Sequence, residues 1–346
     1  MAHADIEELA LPKRADAPDA EDFRAVVEIR NTVEVAAFNL EDRRLAASEI
    51  LPWWMDEQTP VRIFGVRVDG ELVAYSLLQS MLEDPGHLWI TIDVLPDYRH
   101  QGIGTALLEH AEAQAAMDGR HKLIIYASSG TGTGERIPSP TGFGSVPASN
   151  DEVRFLLAHG YRLEQVERGS RLALPIELTV PKAAEGYRLQ FWENRTPEHW
   201  LEDMAFMCTR MSTDAPSAGL DEPEDVYTVE RVREFEAAQA TSGRTQLVVA
   251  AEHIESGRLV GYSELRVPPE PSRSVSQGDT LVLREHRGHR LGMLLKAANL
   301  DRLQREYPGH PAVLTFNAEE NRFMLDVNEA VGFVPVGYEG AWRKDI

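Results

Sequence analysis

Cysteine is almost absent from this chain: Cys208 is the single one among 346 residues. One thiol excludes an intramolecular disulfide and fits a reducing compartment. It lies in the helical-looking run AFMCTRM and reads as buried packing. Long apolar runs are missing as well. No stretch of about 18 apolar residues occurs, so no membrane-spanning helix is expected. The opening MAHADIEELALPKRADAP has neither a basic n-region nor an apolar h-region, which reads against a signal peptide. Together these absences predict a cytoplasmic protein. Positive charge is scarce too: 35 Lys and Arg stand against 56 Asp and Glu, a formal charge of −21. That balance excludes a sequence-wide affinity for nucleic acid or an anionic membrane. The acidity serves solubility or draws a cationic amine toward acidic walls.

What is present is ordinary for a globular protein: 43% hydrophobic and 8% aromatic residues. The length predicts two domains of about 150–170 residues, each able to bury a core.

The most informative stretch runs from Trp89 to Met117, WITIDVLPDYRHQGIGTALLEHAEAQAAM. A β-branched and aromatic run, Trp89 to Val94, predicts a strand. A turn follows at Pro96-Asp97-Tyr98. From Thr105 the apolar positions Ala106, Leu107, Ala111, Ala115 and Met117 recur at helical spacing. Between strand and helix lies Arg99-His100-Gln101-Gly102-Ile103-Gly104. Glycines allow close backbone approach, and the first turn of a helix carries N–H groups without partners. Such a terminus favours an anion. The loop has no Gly-Lys-Ser/Thr ending, and Leu107 stands where a dinucleotide fingerprint has its third glycine.

The pattern occurs twice. Thr280 to Ala298 reads TLVLREHRGHRLGMLLKAA, and Arg287 follows Arg99 by 188 residues (287 − 99). The alignment sets Val282 on Val94, Leu291 on Ile103 and Gly292 on Gly104, with Arg290 where Gly102 stood. Similarity at a domain-sized spacing predicts two copies of one fold.

An Arg-x-x-Gly-x-Gly directly after a strand ending Val-x-Pro resembles the acetyl-CoA pyrophosphate loop of the GNAT superfamily of N-acetyltransferases. The tandem arrangement resembles that of the mycothiol synthase family. The resemblance implies an α/β (α+β) fold class with two tandem GNAT domains. Each would be a mixed, mostly antiparallel sheet with a splayed parallel strand pair, flanked by helices. The expected boundaries are residues 1–177, a linker over 178–184, and 185–346. Acetyl-CoA is the implied cosubstrate, and no metal is expected.

By resemblance, backbone at Val94 holds the pantetheine arm, and N–H groups of Gln101, Gly102, Ile103, Gly104 and Thr105 cradle the pyrophosphate, with Arg99 supporting loop or phosphate. Val282, Arg287, His289, Arg290, Leu291 and Gly292 repeat that role in the second copy. Arg290 replaces a backbone-permissive glycine, which predicts strain or an added phosphate contact. Asn150 and Asn321 match the position whose side chain contacts the CoA arm; each is equally readable as a helix N-cap.

Catalytic groups are less legible. The Tyr that many GNAT enzymes place four residues before the Gly of Gly-Phe is replaced by Leu156 and Asn328. Candidates for the base are His87, a side-chain type suited to general-base work, and Asp93, a carboxylate amid apolar neighbours that must be paired or functional. Glu83 and Asp84 are nearby alternatives.

Around these motifs, Glu21 to Phe38 and Leu291 to Glu306 are predicted helices. Asp69-Gly70 predicts a hairpin. Ser128 to Ser149 reads as an aperiodic loop, and hairpins are expected at Arg168-Gly169 and through Gly337 and Gly340. The function expected is acetyl transfer from acetyl-CoA to a primary amine of a small molecule. A non-catalytic acyl-CoA-binding sensor and a protein or peptide N-acetyltransferase are the alternatives. The protein is expected as a monomer or homodimer.

Overall fold

The computed structural model describes residues 5–130 and 132–346. Residues 1–4, which open the stretch read against a leader, and residue 131, inside the expected long loop, lie outside the described residues. Elements follow in chain order as β1 (Ile6–Leu9), α1 (Glu21–Phe38), α2 (Ala47–Trp54), β2 (Val61–Val68), β3 (Glu71–Met81), β4 (Asp84–Val94), α3 (Ile103–Met117), β5 (Lys122–Ser129), β6 (Arg136–Pro138), β7 (Ser145–Pro147), α4 (Asp151–Ala158) and β8 (Arg162–Ala173). The second half continues with β9 (Tyr187–Glu193), α5 (Leu201–Asp214), α6 (Val229–Thr241), β10 (Thr245–His253), β11 (Arg258–Val267), β12 (Val275–Val282), α7 (Leu291–Glu306), β13 (Ala312–Ala318), α8 (Arg322–Val331) and β14 (Val334–Asp345). Among the described residues no helix is long and apolar enough to cross a membrane.

Two compact units interleave along the sequence. The first comprises Met1–Arg168, Ser217–Glu222 and Val336–Ile346; the second comprises Gly169–Pro216 and Pro223–Pro335.

In the first unit β1, β2, β3 and β4 are antiparallel neighbours. The β2–β3 turn is tight because Asp69 and Gly70 both hold positive φ, 51° and 87°, the backbone that Asp-Gly tolerates. β4 and β5 run parallel but pair only at His87↔Lys122, Leu88↔Leu123 and Trp89↔Ile124. Beyond Trp89 and Ile124 the two strands part, with β4 continuing to Val94 and β5 to Ser129. β14 then pairs antiparallel with β5, setting Glu339 opposite Ser128. From Ala74 onward, past the bulge at Val73, alternation sorts the faces. Ala74 packs with Ile103 and Leu107 of α3, while Tyr75 and Leu77 pack with Val26 and Ile29 of α1.

The second unit repeats the plan. β9, β10, β11 and β12 are antiparallel, and β12 pairs with β13 in parallel only at Val275↔Val313 and Ser276↔Leu314. Leu291 and Leu294 of α7 pack on Val249 and Ala251 of β10. Met204 and Met207 of α5 pack on Val248 and Ala250 of the same strand, hence on the other face.

Three expectations are corrected. Ser128 to Ser149 is not aperiodic: it holds the short β6–β7 hairpin, which buries Val146 completely in the core. Arg168-Gly169 makes no turn, because β8 runs unbroken through it. The final hairpin is likewise one strand, β14. Gly337 and Gly340 serve close packing there: a Cβ at Gly337 would lie 2.5 Å from the Phe38 ring, and one at Gly340 2.5 Å from Trp342.

Candidate active site

The loop after β4 is held by its own side chains. Arg99 Nε donates to the Val94 carbonyl at 3.1 Å, and Gln101 Nε2 to the Asp97 carbonyl at 3.1 Å. Arg99 therefore fastens the end of the strand to the loop. His100 Nε2 lies 3.0 Å from Asp151. Gly102, at φ 87°, caps α3 without any side-chain hydrogen bond to the first turn. The first helical bond is Ala106 N–H to Gly102 O, which leaves the N–H groups of Ile103, Gly104 and Thr105 outside the helix ladder. A Cβ on Gly104 would meet only ordinary contacts, 3.6 Å to the Phe155 ring. The fold itself therefore does not demand glycine there, and the missing side chain leaves room for close approach by a phosphate. These residues fit the diphosphate of a CoA thioester.

The loop after β12 has the same geometry. Arg287 Nε donates to the Val282 carbonyl at 3.0 Å and its Nη2 to Asp214 at 2.9 Å. His289 lies against Tyr187, ring centroids 5.3 Å apart. Arg290 caps α7 with φ 56°, so the strained backbone expected from the lost glycine is present. Leu291 is buried, and a Cβ on Gly292 would meet nothing within 4 Å. The two Asn residues differ. Asn321 caps α8, its side chain accepting from Met324 N–H, whereas Asn150 stands at the N-cap of α4 without a capping bond.

The two candidate bases lie apart. His87 sits in the closed, paired end of β4, buried, with Nδ1 2.6 Å from Asp84 Oδ2 and its ring stacked on Trp89. Asp93 lies six residues further, about 20 Å along the strand, beside the opening between β4 and β5. It accepts a hydrogen bond from Tyr75 Oη at 2.7 Å. Burial pushes its carboxyl up to about 6, the Glu34 charge adds to the rise, and the Tyr75 bond, Arg30 and Arg99 oppose it.

Sequence reasoning missed the residues around Asp93. Glu34 on α1 pairs with Arg43 at 2.6 Å. The Ser128 hydroxyl lies 3.0 Å from Glu34 Oε1 and 3.4 Å from Glu339 Oε1. Burial, with the neighbouring Glu34 charge, pushes Glu339 up to about 7. Glu34 follows Arg30 by one helical turn, a weak signal in hindsight; Glu339 has none, since its neighbourhood is made by β14 pairing with β5. The segment Ser217–Glu222 also reaches this face. Leu220 is buried with Ile124 and Ala341, and Glu222 Oε1 accepts from Trp89 Nε1 at 3.3 Å and Tyr126 Oη at 3.1 Å.

The arrangement has a chemical logic. Anion-ready N–H groups open on the α3 side of the sheet. Carboxyls that titrate near neutrality lie on the α1 side. The parted strands leave a passage between them. An extended thioester threaded there meets groups able to take a proton from an attacking nucleophile.

The acetyltransferase (GNAT) family profile matches residues 23–131. No curated protein sequence matches the chain. Among solved structures it is similar to a tandem GNAT protein from the clavulanic acid biosynthesis pathway, at 24% identity over 99% of this chain and 98% of that one, with a TM-score of 0.75. It is also similar to a GCN5-related N-acetyltransferase from Sphaerobacter thermophilus, at 20% identity over 97% of each chain and a TM-score of 0.64. The acetyltransferase (GNAT) family match thus covers residues 23–131, and the fold of the chain, with its repeated splay and repeated loop, is that of a tandem GNAT protein.

Proposed function

We propose that the protein transfers an acetyl group from acetyl-CoA to the primary amine of a small molecule, and that the first unit performs the chemistry. The observation that carries this reading is the placement of Asp93, Glu34 and Glu339 beside the parted strands whose other face carries the Gly102–Thr105 loop. Acetyl-CoA supplies the activated acyl group. The chain's own residues do the rest. N–H groups of Ile103 to Thr105 bind the diphosphate, and the gap past Trp89 and Ile124 orients the arm. Asp93, or the Glu339 carboxyl, takes a proton from the incoming ammonium. Holding both substrates lowers the barrier by several kcal/mol (~7–11 at best).

The acidic wall favours a cationic acceptor, which must arrive protonated and be neutralised before attack. Thiol release from acetyl-CoA, measured across a panel of small amines, tests the reading. Release with at least one small amine, lost in Asp93→Asn, supports it. Acetyl-CoA binding without release by any amine reduces the protein to an acyl-CoA binder. Release with peptides alone moves the acceptor to another class.

A further inference from the structure

We propose that Glu222 is a positioning residue of the first unit: it ties β4 to β5 where the two strands part, and so sets the width of the passage open to an acyl-CoA arm. The role rests on the acetyl-transfer reading; the tie itself does not. Glu222 belongs to Ser217–Glu222, a segment that follows α5 in the sequence but forms part of the first unit. Its Oε1 accepts from the Trp89 indole N–H of β4 at 3.3 Å and from the Tyr126 hydroxyl of β5 at 3.1 Å. A carboxylate oxygen has room for about two such bonds, so this one is filled by one donor from each strand.

Trp89 and Ile124 form the last β4–β5 pair. Tyr126 is the next residue of β5 on the Ile124 face, and continued pairing would bring Thr91 opposite it. Strand edges carry N–H and C=O groups that gain by pairing, so a fork between parallel strands closes or drifts unless something holds it. Glu222 holds this one, on the face where alternation also sets Asp93 and Ser128. The corresponding residue of the second unit, 188 residues on (277 − 89), is Gln277. Its side chain donates to the Ser263 hydroxyl and the Glu264 carbonyl of the neighbouring β11.

The carboxylate is anchored through its own segment. Leu220 is fully buried against Ile124 and Ala341. Arg343 Nη1 donates to the Gly219 carbonyl at 2.8 Å, and Lys122 pairs with Asp221. A Cβ on Gly219 would collide with the Glu164 carboxylate, so the segment lies close on the sheet. The two donors are fixed as well. The His87 ring stacks on Trp89 with centroids 5.6 Å apart, and Asp84 holds His87 at 2.6 Å. Burial and the Glu222 charge push the Tyr126 hydroxyl far above the ordinary phenol range, so it stays a donor. Bonds from such donors to an ionised carboxylate are stronger than neutral ones.

Separate readouts follow the tie and its consequence. In the full chain, nuclear magnetic resonance gives one indole N–H signal per tryptophan, six in all; the signal lost in Trp89→Phe belongs to Trp89. It should move upfield in Glu222→Ala and stay near its place in Glu222→Gln, which keeps an acceptor oxygen. Calorimetry then measures acetyl-CoA binding, with thermal midpoints as the folding control. Glu222→Ala should weaken binding by about tenfold, as the loss of hydrogen bonds to a charged group predicts. Glu222→Gln should weaken it by less than about threefold. Tyr126→Phe, a milder change that removes one donor, should weaken it by about threefold or more, and its loss should not add to that of Glu222→Ala. An unmoved indole signal in Glu222→Ala, an unaltered acetyl-CoA affinity once the tie is gone, equal losses in Glu222→Gln and Glu222→Ala, or additive losses with Tyr126→Phe overturns the proposal. An unmutated chain that binds no acetyl-CoA overturns the acetyl-transfer reading as well, which tells that failure from a failure of the tie alone.

Discussion

Tyr75 and Asp93 face each other directly across the β3–β4 ladder, and the buried Tyr75 hydroxyl donates to Asp93 Oδ2 at 2.7 Å. This bond opposes the desolvation that raises Asp93 to about 6. In the proposed role of base Asp93 must be deprotonated, so kcat/KM should rise with pH through about 6. Asp93→Asn should lower kcat by roughly 10²–10⁴-fold. Tyr75→Phe removes a bond that favours the charged form, so the acidic limb should move to higher pH. A pH–rate profile checks both; an unmoved limb in Tyr75→Phe assigns that limb to another group.

The loops after β4 and β12 place glycine differently on the same backbone. In the first, His100 and Gly102 hold φ 60° and 87°; in the second, Gly288 and Arg290 hold 86° and 56°. Each loop therefore carries one residue with a Cβ in the left-handed region, at a cost of roughly 1–2 kcal/mol before glycine's greater chain entropy is counted. Arg290→Gly should stabilise the protein by about 0.5–1 kcal/mol, and Gly102→Ala should destabilise it by about 1 kcal/mol. Urea midpoints with unchanged slopes measure each.

Loop occupancy separates the units. A Trp at Gly292 enters open space, and a Trp at Gly104 crowds Phe155 and the N–H groups of α3. Calorimetry with acetyl-CoA should show binding lost in Gly104→Trp and retained in Gly292→Trp, each with a thermal midpoint recorded as a folding control. The reverse pattern would place the working acyl-CoA site in the second unit.

Lys296 sits fully buried on α7, donating to Asn328 Oδ1 at 2.7 Å, and Asn328 donates in turn to Asn317 Oδ1 at 2.7 Å. Burial lowers this lysine from 10.5 to about 7. Below about 7 both states hold the proton, and the full cost of the buried charge is present. Between 7 and 10.5 the unfolded chain binds a proton that the folded chain does not, so stability should rise with pH across that window. The rise is at most about 4–5 kcal/mol, at ~1.36 kcal/mol per pKa unit. Lys296→Met should flatten it while leaving Asn328 Oδ1 without its donor, a loss of about 1–3 kcal/mol. Denaturation midpoints from pH 6 to 10 distinguish the two proteins.

Local signals were legible where the chain decides its own conformation. The expected helix bounds Glu21–Phe38 and Leu291–Glu306 match α1 and α7, because both carry a continuous apolar pattern. Asp69-Gly70 made its turn because nothing competed with its positive φ. Both loops and both splays were anticipated from motif and resemblance together. Glycines misled where packing set the conformation. Gly337 and Gly340 are the small residues that let Phe38 and Trp342 pack close, and neither has positive φ. Between Ser128 and Ser149 the polar, glycine-rich composition hid a hairpin whose burial rests largely on Val146 and Ser139.

The candidate site was legible in part. Asp93 stood out in the sequence because a carboxylate amid apolar residues needs a reason. Its neighbours were not, because Glu34, Ser128 and Glu339 come from α1, β5 and β14 and meet only in the folded sheet. The gap from Ser128 to Glu339 spans 211 residues, beyond any local pattern.

That distance has a consequence for synthesis. The strand beside β5 in the first unit is drawn from Val336–Ile346, so the ribosome makes the whole second unit before it delivers the strand that carries Glu339. A nascent or truncated chain ending before residue 336 has every residue of the Arg99–Gly104 loop and yet an open edge on β5. The first unit therefore matures last, and its Glu34–Ser128–Glu339 cluster forms only in molecules translated through that strand.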